Sequence, residues 1–255
     1  MSLFDLTGKV AIITGSSRGI GKAIAEEMAE QGARVVISSR KPGPCQEVAD
    51  ALNTKHGEGT AIAFPANIST KEELQTLVDK TREAFGQIDI LVCNAASNPY
   101  YGPMEDIEDD AFSKILSNNI ISNHWLITMV APEMKKRKDG AIVIISSIGG
   151  LTGSSTIGAY NISKAADFQL ARNYAVELGP HNIRVNCVAP GLIKTDFARA
   201  LWEDPEMLSK FEGSTPMRRL GDPKDIAGAA VFLASEAGAY MAGQMVVVDG
   251  GSVIV

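Results

Sequence analysis

Tyr160 and Lys164 stand four residues apart in the stretch "GAYNISKAAD". On a helix that spacing puts the phenol and the ammonium on one face, where they can share a space. A tyrosine with an ordinary pKa of about 10 is a poor base at neutral pH. A neighbouring ammonium stabilises the phenolate and lowers that value, which suits the pair to acid/base work near neutral pH. The competing reading is a half-buried tyrosine beside a snorkelling lysine on a helix that packs through Ala159, Ile162, Ala165, Ala166 and Phe168. Of the five tyrosines, only Tyr160 has a lysine four residues on.

A second chemical feature lies near the start, in "TGSSRGIGKAIAEEMAEQG". Gly15, Gly19 and Gly21 fall where an apolar strand turns into an amphipathic helix. Backbone without Cβ atoms lets a pyrophosphate come close, and the helix N-terminus offers it unpaired N–H groups. The order here is G-x-x-x-G-x-G rather than G-x-G-x-x-G. At the end of the next strand, "VVISSRK" bears on which dinucleotide would bind. An acid at that position bonds a ribose 2′-OH and repels a 2′-phosphate. Ser39 stands there instead. Arg40 can grip a phosphate with its planar fork, Lys41 adds charge, and Arg18 can approach from the glycine loop, so NADP(H) is expected over NAD(H).

These groups need a scaffold, and the hydropathy pattern predicts one. Apolar, β-branched runs recur as "KVAII", "ARVVI", "TAIAF", "IDILVC", "AIVIIS", "IRVNCVA" and "QMVVVD". Amphipathic stretches alternate with them, such as Ile20, Ile24 and Met28 ahead of a helix stop at Gly32. No linker or composition break interrupts the alternation. The pattern predicts a single α/β domain over 1–255, a doubly wound Rossmann three-layer sandwich on a mainly parallel sheet of about seven strands.

Composition narrows the function classes. The chain has 255 residues, 45% hydrophobic and 21% charged, with a formal charge of −6. That balance argues against nucleic acid as a partner. The one basic cluster, "KKRK" at 135–138, suits the end of a helix. No apolar stretch is long enough to cross a bilayer and no secretory leader opens the chain, so a cytoplasmic protein without membrane association is expected. Cys45, Cys93 and Cys187 lack metal-ligand spacing, and with three histidines no metal site is expected. They read as buried thiols.

The TGxxxGxG spacing with YxxxK downstream resembles the short-chain dehydrogenase/reductase family, in its single-domain branch. "CNAA", "IISS", "YNISK", "RVNCVAPG" and "VDGG" extend the resemblance along nearly the whole chain. It implies hydride transfer between a nicotinamide and a carbonyl/alcohol pair. Ser147, thirteen residues before Tyr160, would donate to the developing oxyanion, while Ser146 supports the cofactor or the strand end. Asn119 in "LSNNIISNHW" would hold a water linking Lys164 to solvent, with Asn118 as the one-residue-slip alternative. Lys164 would also bind the nicotinamide ribose, and Tyr160 would lie beside it. Ser17, Arg18 and Ile20 join the three glycines as cofactor contacts, as do Ser39 and Arg40. Asn67, with Ile68, stands where the family's aspartate receives the adenine amino group, and its amide oxygen can still accept. Asn94 is kept from the family's NNAG, followed by Ala95, while Ala96 replaces the glycine. Pro190 and Gly191 form a turn beside the nicotinamide, with Ile193 and Thr195 contacting its carboxamide and the phosphates. A homotetramer is implied, and the apolar end Val253, Ile254 and Val255 suits a subunit interface.

The segment 192–220 reads as a substrate-loop insertion. Trp202, Met207, Leu208 and Phe211 give it an apolar face, either a lid over a hydrophobic substrate or the packing of a short helix. Tyr100, Tyr101 and Trp202 are pocket candidates. "SNPYYGPM" and "GLIKTDFA" resemble an NADP-dependent carbonyl reductase/retinol dehydrogenase branch, whose members often end in a peroxisomal tripeptide where this chain has "SVIV". The expected function is NADP(H)-dependent oxidoreduction of a carbonyl or secondary alcohol. The alternatives are an NADP(H) sensor without turnover, an NAD(H)-dependent alcohol dehydrogenase, and an epimerase or dehydratase of the longer branch.

Overall fold

Each of the seven apolar runs becomes a strand: β-branched side chains fill such a sheet well, and the central runs are buried on both faces while the two at the edges are half-buried. The computed structural model describes residues 2–255, with the backbone alone at 200 and 201, so the first residue of the expected 1–255 domain lies outside the described residues. In chain order the strands are β1 (Val10–Thr14), β2 (Arg34–Ser38), β3 (Ala61–Ala63), β4 (Ile90–Cys93), β5 (Gly140–Ile145), β6 (Ile183–Pro190) and β7 (Met245–Val248). They form one sheet in the order β3-β2-β1-β4-β5-β6-β7, every neighbouring pair parallel.

The helices are α1 (Gly19–Glu30), α2 (Pro42–His56), α3 (Lys71–Phe85), α4 (Asp109–Leu116), α5 (Ser122–Arg137), α6 (Gly158–Leu178), α7 (Arg199–Trp202), α8 (Pro205–Ser214) and α9 (Pro223–Ala234). Strand side chains alternate between two cores. Ala11 and Ile13 face α1, α2 and α9 through Ile24, Met28, Leu52 and Ile226. Ile12 and Leu91 face α3, α5 and α6 through Leu74, Leu126, Val130 and Leu178. This is the expected doubly wound single domain.

The chain leaves β1 towards β2 and leaves β4 towards β5, on opposite sides, which opens a crevice at the carboxyl ends of β1 and β4. A π turn, Ser117–Ile121, joins α4 to α5. On α6, Ala159 and Phe168 are buried as expected, whereas Ile162 and Ala165 are exposed. The helix rests on the sheet with its other face, so apolar character at those two positions does not mark the core.

Candidate active site

The crevice is built first by the glycine loop. Gly15 has a φ of +69°, a left-handed turn that glycine adopts without strain. A Cβ on Gly21 would lie 2.5 Å from both Asn94 Nδ2 and Gly15 O, so a side chain there would force the loop away from β4. Two hydroxyls hold the loop. Ser16 Oγ donates to Ile13 O (2.6 Å) and accepts from Ser38 N (2.9 Å). Thr14 Oγ1 accepts from Asn94 N (3.0 Å) and Ala95 N (3.1 Å), and Asn94 Nδ2 donates to Thr14 O (2.8 Å). Asn94 and Ala95 are thereby drawn to the glycine loop. Thr14 and Ser16 were not singled out from the sequence; buried hydroxyls flanking Gly15 were the available signal.

Whether this loop fits a dinucleotide is tested by α1. Among the described residues no side chain caps its N-terminus, and its first turn carries no acid. The unclaimed N–H donors of α1 at the crevice fit a pyrophosphate. From the far side, a Cβ on Gly19 would stand 3.3 Å from Thr195 Cγ2, so the segment after β6 reaches across to the loop. Gly191 N donates to Val248 O (3.0 Å) beyond Pro190, and buried Ile193 bridges to Gly221.

At the end of β2, Ser39 Oγ lies 3.1 Å from Cys45 Sγ, and Arg40 and Lys41 are exposed beside it. Arg18 Nη1 is 3.3 Å from Asp196 Oδ2. Asn67 Oδ1 accepts from Ser69 N (3.3 Å) and Ser69 Oγ (2.7 Å) in a local turn, so an adenine amino group would displace the serine hydroxyl to reach it.

Tyr160, Lys164 and Ser147 meet where α6 crosses the end of β5. Lys164 is buried; its Nζ lies 5.7 Å from the Tyr160 ring centroid and donates to Ile145 O (2.9 Å) and Asp167 Oδ2 (3.1 Å). Ser147 follows β5, and its Oγ accepts from Gly149 N (3.0 Å), while its hydroxyl faces the Tyr160 oxygen and can donate there. Ser146 supports the strand end: its N donates to Val188 O and its Oγ to Lys164 O, both at 2.8 Å.

The electrostatics depart from the expected depressed tyrosine. Burial pushes the Tyr160 phenol above its ordinary pKa; Lys164 opposes this, Asp167 adds to it, and Ser147 opposes through its hydrogen bond. For Lys164, burial works against the charge, but Asp167 and Tyr160 outweigh it and hold the ammonium above its usual value. The lysine expected to tune Tyr160 and to bind the nicotinamide ribose is also paired with an acid.

Asn119 also has other work. Its Nδ2 donates to Ser97 O (3.1 Å) and Ser163 Oγ (2.9 Å), and its Oδ1 accepts from Ser97 N (2.8 Å). Both amide hydrogens are used, so the side chain clamps the segment after β4 to the π turn. Asn118 Nδ2 reaches Ser97 Oγ (3.0 Å) from the next position. Both asparagines are buried, an outcome the wider π turn permits for neighbours that an α-helix would turn well apart.

Of the aromatic candidates, Tyr100 Oη donates to Pro103 O (2.7 Å), which folds its ring onto its own turn, and Tyr101 is exposed. Trp202 Nε1 donates to Thr195 O (2.9 Å), and its ring lines a groove of about 480 Å³ with Gly19, Ala23 and Pro223. Trp202 therefore packs beside α1 and α9. The aromatic ring that meets Tyr160 is Phe197, with centroids 6.0 Å apart. In α8, Met207 is exposed and Leu208 and Phe211 are half-buried.

Cys45, Cys93 and Cys187 are free and buried. Among the described residues no group of three His, Cys, Asp or Glu could hold a metal ion, and no helix is long and apolar enough to cross a membrane.

Comparison with known proteins agrees with this geometry. A family profile described as Enoyl-(Acyl carrier protein) reductase matches residues 15–252. The chain is 44% identical over 248 residues to Dehydrogenase/reductase SDR family member 4 of Mus musculus, covering 97% of this chain and 88% of the relative. It is 40% identical to a solved 7α-hydroxysteroid dehydrogenase complexed with NADH and 7-oxo glycochenodeoxycholic acid, with a TM-score of 0.93 over 97% of this chain and 95% of that one. It is 30% identical to the gluconate 5-dehydrogenase from Burkholderia cenocepacia J2315 in complex with NADP and tartrate, with a TM-score of 0.93 over 99% of this chain and 98% of that one.

Proposed function

Because this chain belongs to the short-chain dehydrogenase/reductase family, we propose that it is an NADP(H)-dependent enzyme interconverting a carbonyl compound and its alcohol, with Tyr160 as general acid/base. The observation that carries this reading is the convergence of Tyr160, Lys164 and Ser147 at the junction of β5 and α6. When bound, the nicotinamide supplies or takes up the hydride. Ser147 turns its hydroxyl hydrogen from Tyr160 to the substrate oxygen as negative charge develops there, a bond that strengthens in the transition state. Tyr160 delivers the proton to that oxygen, or removes it in the reverse direction.

The uncapped start of α1 with Gly15, Ser17, Gly19, Ile20 and Gly21 would hold the pyrophosphate, and Asn67 and Ile68 would flank the adenine. Asn94, Ala95, Pro190, Gly191, Ile193 and Thr195 would face the nicotinamide end, with Lys164 on its ribose. The preference for NADP(H) is supported by Ser39 where an acid would select NAD(H), and by Arg40, Lys41 and Arg18 around it.

Exposed Tyr101, Met104, Leu151 and Phe197 support a hydrophobic carbonyl substrate covered by the segment 192–220. The three free, buried thiols suit a reducing compartment such as the cytoplasm. Exposed Ile121, Ile162 and Val176 on the π turn and α6, with Ile254 and Val255 at the end, support a homotetramer. Light scattering after gel filtration checks that mass, and a monomer at micromolar concentration speaks against it.

The functional test is a panel of carbonyls offered with NADPH and with NADH, including aromatic ketones, a 7-oxo bile acid and an oxidised gluconate. Consumption of NADPH with at least one carbonyl is expected. Tight NADPH binding with no turnover across such a panel would favour a sensor instead.

A further inference from the structure

Asp167 lies three residues beyond Lys164 on the same face of α6 and is fully buried. Its Oδ2 accepts from Lys164 Nζ and its Oδ1 from Asn123 Nδ2, each at 3.1 Å. Asn123 Nδ2 also donates to Asn119 O (2.6 Å), which ties the carboxylate to the π turn. Burial pushes the Asp167 carboxyl up, and Lys164, Asn123 and Ser146 oppose it; each carboxylate oxygen faces a donor, and that geometry is the one the charged form satisfies. A buried ion pair is a costly way to fill this space, since apolar side chains of similar volume commonly serve stability as well or better. Lys164 is thus shared between Tyr160, four residues before it, and an acid three residues after it.

We infer that Asp167 is a positioning residue for proton transfer: it anchors the Lys164 ammonium and offsets part of its charge at Tyr160, biasing the site towards giving a proton to a carbonyl. This inference rests on the reading of Tyr160 as the general acid/base. In reduction, the carbonyl that takes up hydride at carbon takes the Tyr160 proton at oxygen, and the tyrosinate regains a proton from solvent. In oxidation, tyrosinate must exist beforehand to accept the alcohol proton. A carboxylate beside Lys164 makes tyrosinate scarcer at neutral pH and moves oxidation to alkaline pH. The other titratable groups facing the pair are Cys93 of β4 and Cys187 of β6. Burial, with Asp167 adding to it, pushes both thiols well up, so they stay neutral across the working range.

The test is the ionisation of Tyr160 in the protein without cofactor, read as tyrosinate absorbance during a pH titration, with Tyr160→Phe subtracted. In the parent the midpoint is expected above the ordinary tyrosine range, as burial dictates. Asp167→Asn should lower it by about one unit or more, and the alkaline limb of kcat/KM for alcohol oxidation should move down with it. Asp167→Leu removes the charge with an apolar group and should produce the same direction. A parent midpoint below about 8 would overturn the inference, as would an unchanged midpoint in a folded Asp167 variant. Retained turnover in Tyr160→Phe would instead sink the general acid/base reading. An inactive Tyr160→Phe with an unmoved midpoint in the Asp167 variants would remove the Asp167 role alone.

Discussion

Arg18 Nη1 lies 3.3 Å from Asp196 Oδ2, an exposed ion pair that joins the glycine loop to the segment after β6. Asp196 is also 2.5 Å from Arg199 Nη2. If Arg18 serves a 2′-phosphate, Asp196 competes for it. Asp196→Asn should tighten NADPH binding by about two- to fivefold at low salt and leave NADH nearly unchanged, since exposed pairs are weak and screened. Fluorescence titration of both cofactors checks this, and an equal change for both would count against a phosphate role for Arg18.

Cofactor choice can be moved from the other end of β2. Ser39→Asp combined with Arg40→Ala places a carboxylate where the phosphate partner stood. NADPH affinity should fall by about 10- to 100-fold, the scale of a charge-assisted contact, while NADH affinity holds or rises. Tighter binding of NADH than NADPH by the unmodified protein would contradict this account of the strand end.

Asn119 is predicted to matter for stability before chemistry. Asn119→Ala removes the partners of Ser97 N and Ser97 O beside the π turn. Ser97 is half-buried, so each lost bond should cost about 1 kcal/mol, and urea unfolding should show a lower midpoint with unchanged slope, a stability loss of about 1–2 kcal/mol. A stable but inactive variant would return Asn119 to a direct role in proton relay.

What could be read from sequence, and what could not, divides along physical lines. The strands were legible because burial on both faces demands β-branched runs, and the Tyr160–Lys164 pair because i,i+4 spacing fixes a shared face. Asp167 obeys the same spacing logic, yet an acid on a helix ordinarily meets solvent. Its burial comes from packing against β6 and α5, distant in sequence. Ile162 and Ala165 mislead in the opposite sense, being apolar but exposed. Choosing Phe197 over Trp202 as the ring beside Tyr160 depends on how the chain turns after Thr195. The commitment of the Asn67 oxygen was readable, since an Asn two residues before a Ser often closes such a turn.

The central claim is that Tyr160 carries the proton, and replacing it with phenylalanine tests that most directly. NADPH binding and turnover of a reactive carbonyl should be measured on the same Tyr160→Phe preparation. The predicted result is an NADPH dissociation constant within about twofold of the parent, because only a phenolic oxygen is lost, and a kcat lower by about 10²- to 10⁴-fold. A Tyr160→Phe enzyme that binds NADPH normally and turns over at close to the parental rate would contradict the account.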